Sequence, residues 1–400
     1  MSDNNRTITI ILTGGGSGGH IAPLLPLARE LKATGKCVVV YIGLKGDKLE
    51  GLQNQYQVFD QVRTVPAGKF RRYHGESYLA HLTDIKTLAL NFRDFFRVIA
   101  GILASHRILK KLKPDVVFSK GGYVAVPVGI AAHWRHIPIV THDSDATAGL
   151  ANRIVGRWAV LHATGMPAEN YSYPKDSVQY VGIPIDERIK PVSKTAQADF
   201  KRQAGFLADT LVLLVAGGGL GAKSLNDKLV SIAPKLLEAN PKLRIVHLSG
   251  KQHEQAVVTK YAAGLDSGLL ERVKVIGFTD EFYKYSGAAD LVVTRAGATA
   301  MAEFAAQNKA CIVVPSPFLA GGHQLKNAEA LSRFGLAEIV SNDASPQELQ
   351  EAILNLLGNR FRRESYAKKL GRTAHNDAAQ KLAKLLFEVA GQGSRSRRGQ

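Results

Sequence analysis

Ile8-Thr9-Ile10-Ile11-Leu12-Thr13 runs directly into Gly14-Gly15-Gly16, and Leu211-Val212-Leu213-Leu214-Val215-Ala216 runs directly into Gly217-Gly218-Gly219. Each is an apolar, β-branched run of strand length closed by glycines, and the recurrence predicts two Rossmann-like domains. Short apolar runs at Cys37 to Ile42, Asp115 to Phe118 and Pro138 to Thr141 follow the first. Arg244 to Leu248, Val273 to Ile276, Leu291 to Thr294 and Ala310 to Val314 follow the second. Their alternation with helical patterns makes the class α/β, with parallel sheets covered by helices. The reading divides the chain into a first domain at 1–185, a polar, charge-mixed linker at 186–209 and a second domain at 210–365. A C-terminal helix at 366–390 and a disordered basic tail at 391–400 complete it. Ligands of such sheets bind beyond the carboxyl ends of the strands, so the active cleft is expected between the two domains.

The 400 residues are 45% hydrophobic and 22% charged, which excludes a disordered chain. A net charge of +18 favours polyanions, phosphorylated ligands or acidic lipid headgroups as partners. No compact nucleic-acid-binding motif accompanies that charge, so a nucleic-acid partner is not expected. Cys37 and Cys311 each lie in an apolar run, which argues against a disulfide framework or a cysteine-rich zinc site and for a reducing cytoplasm. Met1 to Thr7 is polar and lacks the apolar stretch of a secretory signal, and no run reaches the roughly 18 uncharged apolar residues of a spanning helix.

The loop Gly14-Gly15-Gly16-Ser17-Gly18-Gly19-His20 stands between a strand and a helix beginning near Pro23, where backbone amides can approach a diphosphate. Gly14, Gly16 and Gly19 satisfy GxGxxG. Tyr41-Ile42-Gly43 stands where a dinucleotide site needs an acidic residue, so no nicotinamide cofactor is expected, and no other. His20 can act as a general base on a substrate hydroxyl or serve as a helix-capping or buried structural ring. Gly217 to Ser224 almost spells a nucleotide P-loop, but Ala222 stands where that motif needs glycine before Lys223-Ser224. His142-Asp143-Ser144-Asp145 closes a strand; Asp143 and Asp145 form a DxD that either meets a ligand, with or without a metal, or caps the next helix. In Thr294-Arg295-Ala296-Gly297-Ala298-Thr299-Ala300-Met301-Ala302-Glu303 a strand gives way to a helix, and the carboxylate of Glu303 suits ribose hydroxyls. Pro315 to Phe318 and Gly321 to Asn327, with His323, Gln324 and Asn327, supply amide and imidazole groups for sugar hydroxyls.

Residues 61–113 carry eleven Lys or Arg against three Asp or Glu, interleaved with Phe70, Tyr73, Tyr78, Leu79, Phe92, Phe95, Phe96 and Ile99. The profile fits a helix on an anionic membrane face, or a domain helix with an ordinary basic solvent side.

The loop ending Gly18-Gly19-His20, Lys120-Gly121-Gly122-Tyr123 with Pro127, His142 to Asp145, Gly217 to Ala222 and the Glu303 segment resemble, in order and spacing, the MurG family of peptidoglycan N-acetylglucosaminyltransferases. The resemblance covers about Thr7 to Val389. It implies a GT-B fold whose sheets face across a cleft, and inverting transfer of N-acetylglucosamine from UDP-N-acetylglucosamine to the lipid-linked muramyl pentapeptide, lipid I, giving lipid II. It further implies a role in cell-wall biogenesis, cell shape and division, a cytoplasmic enzyme peripheral on the inner membrane face, and no metal requirement. By the same resemblance Ser17, Gly18 and Gly19 meet the substrate diphosphate region, Gly219 faces the nucleotide and Thr279 lies near the uracil. Ala298, Thr299, Ala300, Met301, Ala302 and Glu303 run along the nucleotide, Gln324 meets the donor sugar, and His20 is the leading candidate base, with Asp143 a second catalytic candidate. The family usually has His-Glu-Gln-Asn at 142–145 and Asn-Pro-Val-Arg at 183–186. Asp145 and Asp186 therefore place acceptor-only, anionic groups where an amide and an arginine are usual. A related transferase with another lipid or glycoside acceptor, and a non-catalytic nucleotide-sugar-binding protein, are the alternatives.

Overall fold

The computed structural model describes residues 7–15, 18–46, 57–69, 85–317 and 322–396. Two compact units form: Met1–Asp186 with His375–Gln400, and Glu187–Ala374.

The first unit holds β1 (Ile8–Thr13), β2 (Cys37–Leu44), β3 (Gln61–Val65), β4 (Val116–Ser119), β5 (Ile139–Asp143), β6 (Leu161–Thr164) and β7 (Val178–Tyr180), in the sheet order β3-β2-β1-β4-β5-β6-β7. The second holds β8 (Leu211–Ala216), β9 (Leu243–Leu248), β10 (Val273–Ile276), β11 (Leu291–Thr294), β12 (Cys311–Val313) and β13 (Glu338–Ile339), in the order β10-β9-β8-β11-β12-β13. Every pairing is parallel. The strand order reverses between β1 and β4 and between β8 and β11, which makes the ends of those strands the ligand edge of each sheet.

Continuous apolar runs form these strands because both faces of a parallel sheet are covered. Ile10 and Leu12 enter one core layer with Leu24, Leu27 and Leu31, while Ile11 enters the opposite layer with Val128 and Ala131. Leu213 and Val215 likewise face away from Val212 and Leu214. Each sheet has the same carboxylate contact at its opposite, amino-terminal edge: within the first unit Asp115 accepts from the Thr9 amide at 2.9 Å, and within the second Asp290 accepts from the Val212 amide at 2.8 Å.

Three features depart from the sequence expectation. The stretch read as a linker contains the helix Lys194–Gln203, capped by Ser193. Gln197 donates to Ala289 O and Asp290 Oδ1, and Lys201 pairs with Asp290 at 2.8 Å, so its mixed charges are the polar contacts of a docked helix of the second unit. The single C-terminal helix is two, Arg360–Gly371 and Ala378–Ser396. The second belongs to the first unit, where Leu382, Leu386 and Val389 join the core of Leu24 and Leu27. Finally, that helix runs on through residues 391–396, into the segment whose composition reads as a tail.

Candidate active-site edges

In the first unit, the loop after β1 is shaped by contact with the loop after β4. Gly122 has φ +78°, and a Cβ there would lie 2.0 Å from the Gly15 carbonyl oxygen. A Cβ on Gly14 would meet the His20 carbonyl oxygen at 2.7 Å and Lys120 Cβ at 3.0 Å. Tyr41 Oη donates to Gly14 O at 2.8 Å. These two glycine positions are thus required by close backbone approach.

Gly18, Gly19 and His20 lie in a short helix, Gly18–Ile21, and Gly19 faces open space; Ser17 lies outside the described residues. His20 is half-buried, with Nδ1 3.2 Å from the Lys120 carbonyl oxygen. A carbonyl only accepts, so Nδ1 carries the proton and the neutral ring keeps its lone pair on Nε2, the tautomer a general base requires.

Beside this loop, β5 ends in a buried polar group. Asp143 accepts from Gly149 N at 3.0 Å, Asn152 Nδ2 at 3.1 Å and Tyr173 Oη at 2.8 Å. Gly149 is the residue before the helix Leu150–Val155, whose first-turn amides receive no side-chain cap; Asp143 holds the Gly149 amide ahead of it. Burial raises the Asp143 pKa against those donors. His142 donates from Nε2 to Gly182 O at 2.9 Å, and burial, then the charge of Lys120, lower its pKa to about 3. Lys120 is itself buried. Burial lowers its pKa, while Asp143 and Asp145 act in the other direction. Asp145 is half-exposed, and its carbonyl accepts from Tyr171 Oη at 2.6 Å. Asp186 pairs with Arg29 at 3.7 Å. Among the described residues no three His, Cys, Asp or Glu side chains converge as metal ligands.

In the second unit, the loop Gly217 to Gly221 folds against the turn after β9. Gly221 has φ +74°, and its Cβ would lie 2.0 Å from Ser249 O. Gly218 and Gly219, by contrast, are exposed with nothing within 4 Å of a Cβ. Lys223, the lysine of the near P-loop, is exposed and pairs with Asp227 at 2.7 Å.

The helix Ala298–Ala306 divides its candidate residues. Ala298 and Met301 are buried, Met301 beside Phe304, while Thr299, Ala302 and Glu303 share a half-exposed face at i, i+3 and i+4. Ala300 packs against the core. Thr279 Oγ1 accepts from Glu281 N at 3.0 Å, ahead of the helix Phe282–Ala288. Arg188, near Asp186 in sequence, reaches Asp280 O at 3.2 Å and lies over the Tyr283 ring at 4.6 Å. His323 opens the helix His323–Arg333. Gln324 Oε1 accepts from Ser316 N at 2.8 Å, which leaves its amide nitrogen as the donor. Asn327 is buried and donates to Ala296 O at 2.9 Å, tying that helix to the turn after β11.

Sequence reasoning did not single out Lys120 as the partner of His20, nor Arg295 and Ser224, which are joined by a 2.7 Å hydrogen bond. The available signal was the same in two cases: a charged residue, Lys120 or Arg295, directly after a central apolar strand.

On the helix Ile85–Leu112, Asp94, Gly101, Ser105 and Leu109 are buried, while Phe92, Phe96, Ile99 and Leu103 stand exposed along another face with Phe95 beside them. Arg93, Arg97, Arg107, Lys110 and Lys111 are exposed on the same helix. Phe70, Tyr73, Tyr78 and Leu79 lie outside the described residues. No helix among the described residues is long and apolar enough to cross a membrane.

The glycosyltransferase family 28 N-terminal domain matches residues 10–161, and the family 28 C-terminal domain residues 212–382. The UDP-N-acetylglucosamine–N-acetylmuramyl-(pentapeptide) pyrophosphoryl-undecaprenol N-acetylglucosamine transferase of Lachnoclostridium phytofermentans is 33% identical over 95% of this chain and 98% of its own. The protein of the same name from Clostridium botulinum is 36% identical over 88% of this chain and 90% of its own. Among solved structures, Acinetobacter baumannii MurG is similar with a TM-score of 0.69 and 26% identity, over 96% of this chain and 99% of that one.

Proposed function

Because the chain belongs to the MurG family of family 28 glycosyltransferases, we propose that its two units divide one reaction, the transfer of N-acetylglucosamine from UDP-N-acetylglucosamine to lipid I to form lipid II. The observation that carries this reading is relatives of that activity aligned over nearly the whole chain. The product makes the protein an enzyme of peptidoglycan synthesis, and so of cell-wall biogenesis, cell shape and division.

The first unit supplies the acceptor side. Nε2 of His20 takes the proton of the acceptor hydroxyl as its oxygen bonds to the sugar's C1. The C1–O bond to the diphosphate breaks, its electron pair leaves with UDP, and the anomeric carbon inverts. The Lys120 carbonyl supports this by fixing the tautomer of His20. The second unit holds the donor along Gly219, Thr279, Glu303 and Gln324, with amides and the helix start after the glycine loop stabilising the departing charge. The exposed stripe of Phe92, Phe96, Ile99 and Leu103 with its flanking arginines and lysines meets the anionic inner face of the membrane, where the lipid acceptor resides. Asp145 and Asp186 favour the second reading, a transferase with an altered acceptor.

The test is transfer of labelled N-acetylglucosamine from its UDP donor to a short-chain lipid I analogue, with and without EDTA and beside a no-acceptor control. Acceptor-dependent product that resists EDTA is expected. Donor binding without product on lipid I, followed by product on another polyprenyl or glycoside acceptor, would favour the second reading.

A further inference from the structure

Arg295 follows β11 directly and is 7% exposed. Its Nη1 donates to Val314 O and to Asn342 Oδ1, both at 2.9 Å, and its Nη2 to Ser224 Oγ at 2.7 Å. All three acceptors are neutral, and among the described residues no carboxylate forms an ion pair with it. Burial lowers its pKa, yet a guanidinium keeps its proton, so a positive charge sits inside the second unit without a counter-ion.

The surroundings add positive potential rather than cancel it. Ser224 is the second residue of the helix Lys223–Ala239, whose start at Ala222 has no side-chain cap. Its first-turn amides lack helical acceptors, and the helix dipole places partial positive charge there. The loop leading into it leaves open space at Gly218 and Gly219. The neighbouring cation Lys223 shares the Asp227 carboxylate with Lys260, at 2.7 and 2.6 Å, whereas Arg295 has no carboxylate partner among the described residues.

Ser224 is exposed, and its oxygen already accepts from Arg295. A hydroxyl has one proton, so that proton is directed to a different acceptor. We propose that Ser224, oriented by Arg295, donates to the diphosphate of the nucleotide donor, with Arg295 as the positioning residue and source of the balancing charge. A diphosphate suits the place because it brings several acceptor oxygens, no donors and negative charge. The inference rests on the nucleotide-sugar reading above and adds to it the contact that selects the diphosphate.

The experiment compares binding of UDP and uridine by titration calorimetry to the full chain. Ser224→Ala is expected to weaken UDP about tenfold, the loss of one hydrogen bond to a charged group, and to leave uridine unchanged. Ser224→Thr, which keeps the hydroxyl, restores most of the UDP affinity. Arg295→Gln weakens UDP further, and adding Ser224→Ala to it costs nothing more, because the hydroxyl has already lost its orienting partner. Wild-type affinity for UDP in Ser224→Ala, or equal loss of UDP and uridine, would overturn the inference alone. Failure of the wild-type chain to bind UDP would overturn the nucleotide reading with it.

Discussion

The loop after β1 and the loop after β8 begin from the same sequence pattern and the same place in the same strand order, yet they are built for different chemistry. The first is pressed against its neighbours: Gly14 and Gly122 have no room for a side chain, and behind them lie buried Lys120, His142 and Asp143. There the structure fixes the tautomer of a histidine. The second is close-packed at Gly221 but leaves Gly218 and Gly219 open, and a guanidinium with no carboxylate partner among the described residues lies beside a helix start. A glycine-rich turn leaves the backbone room for a ligand to approach, whereas residues distant in sequence, Lys120 beside His20 and Arg295 beside Ser224, set the chemistry proposed for each loop.

The sharpest way to break that contrast is His20→Ala, expected to lower kcat by about 10²- to 10⁴-fold in the transfer assay, the usual share of a general base. Next comes a glycine exchanged in each loop region. Gly122→Ala must force a Cβ into the Gly15 carbonyl at a left-handed φ, and should lower stability to urea by about 1–3 kcal/mol. Gly219→Ala has open space and should leave stability unchanged while weakening UDP.

Acidification gives a smaller effect with a defined sign. Burial lowers the pKa of His162 and of His247 in the folded chain to about 4, and burial with the Lys120 charge lowers that of His142 to about 3. Stability from these neutral rings is therefore present above the ordinary histidine pKa of about 6.5 and is lost as pH falls below it. Asp143 opposes the loss, because its raised pKa makes protonation on folding favourable. Both tryptophans, Trp134 and Trp158, belong to the first unit, so their fluorescence reads that unit. The urea midpoint by fluorescence should fall from pH 7 to pH 5, and fall more steeply in Asp143→Asn. Smallest of all, Lys223→Ala removes an exposed pair with Asp227, and should cost under about 1 kcal/mol without changing UDP affinity. A large loss of UDP binding there would restore the P-loop reading.

Much of the fold was legible because strands covered on both faces write themselves as unbroken apolar runs. β3, β6, β7 and β13 were not, since Gln61, Arg63, His162, Gln179 and Glu338 interrupt short strands, three of them at sheet edges. The return of Ala378–Ser396 to the first unit has no local signature, because the helix's apolar face would suit either unit. At the candidate site, the glycine loops and His20 stand out in the sequence as candidates, with His20 open between a base and a structural ring. The contacts on which their proposed roles rest span 100 residues from His20 to Lys120 and 71 from Ser224 to Arg295, and only the folded sheets bring those partners together.

UDP affinity of His20→Ala, measured beside its transfer rate, separates the proton transfer proposed for the first unit from the anion holding proposed for the second. Wild-type affinity for UDP with transfer nearly abolished is expected. A loss of UDP affinity as large as the loss of rate would contradict it.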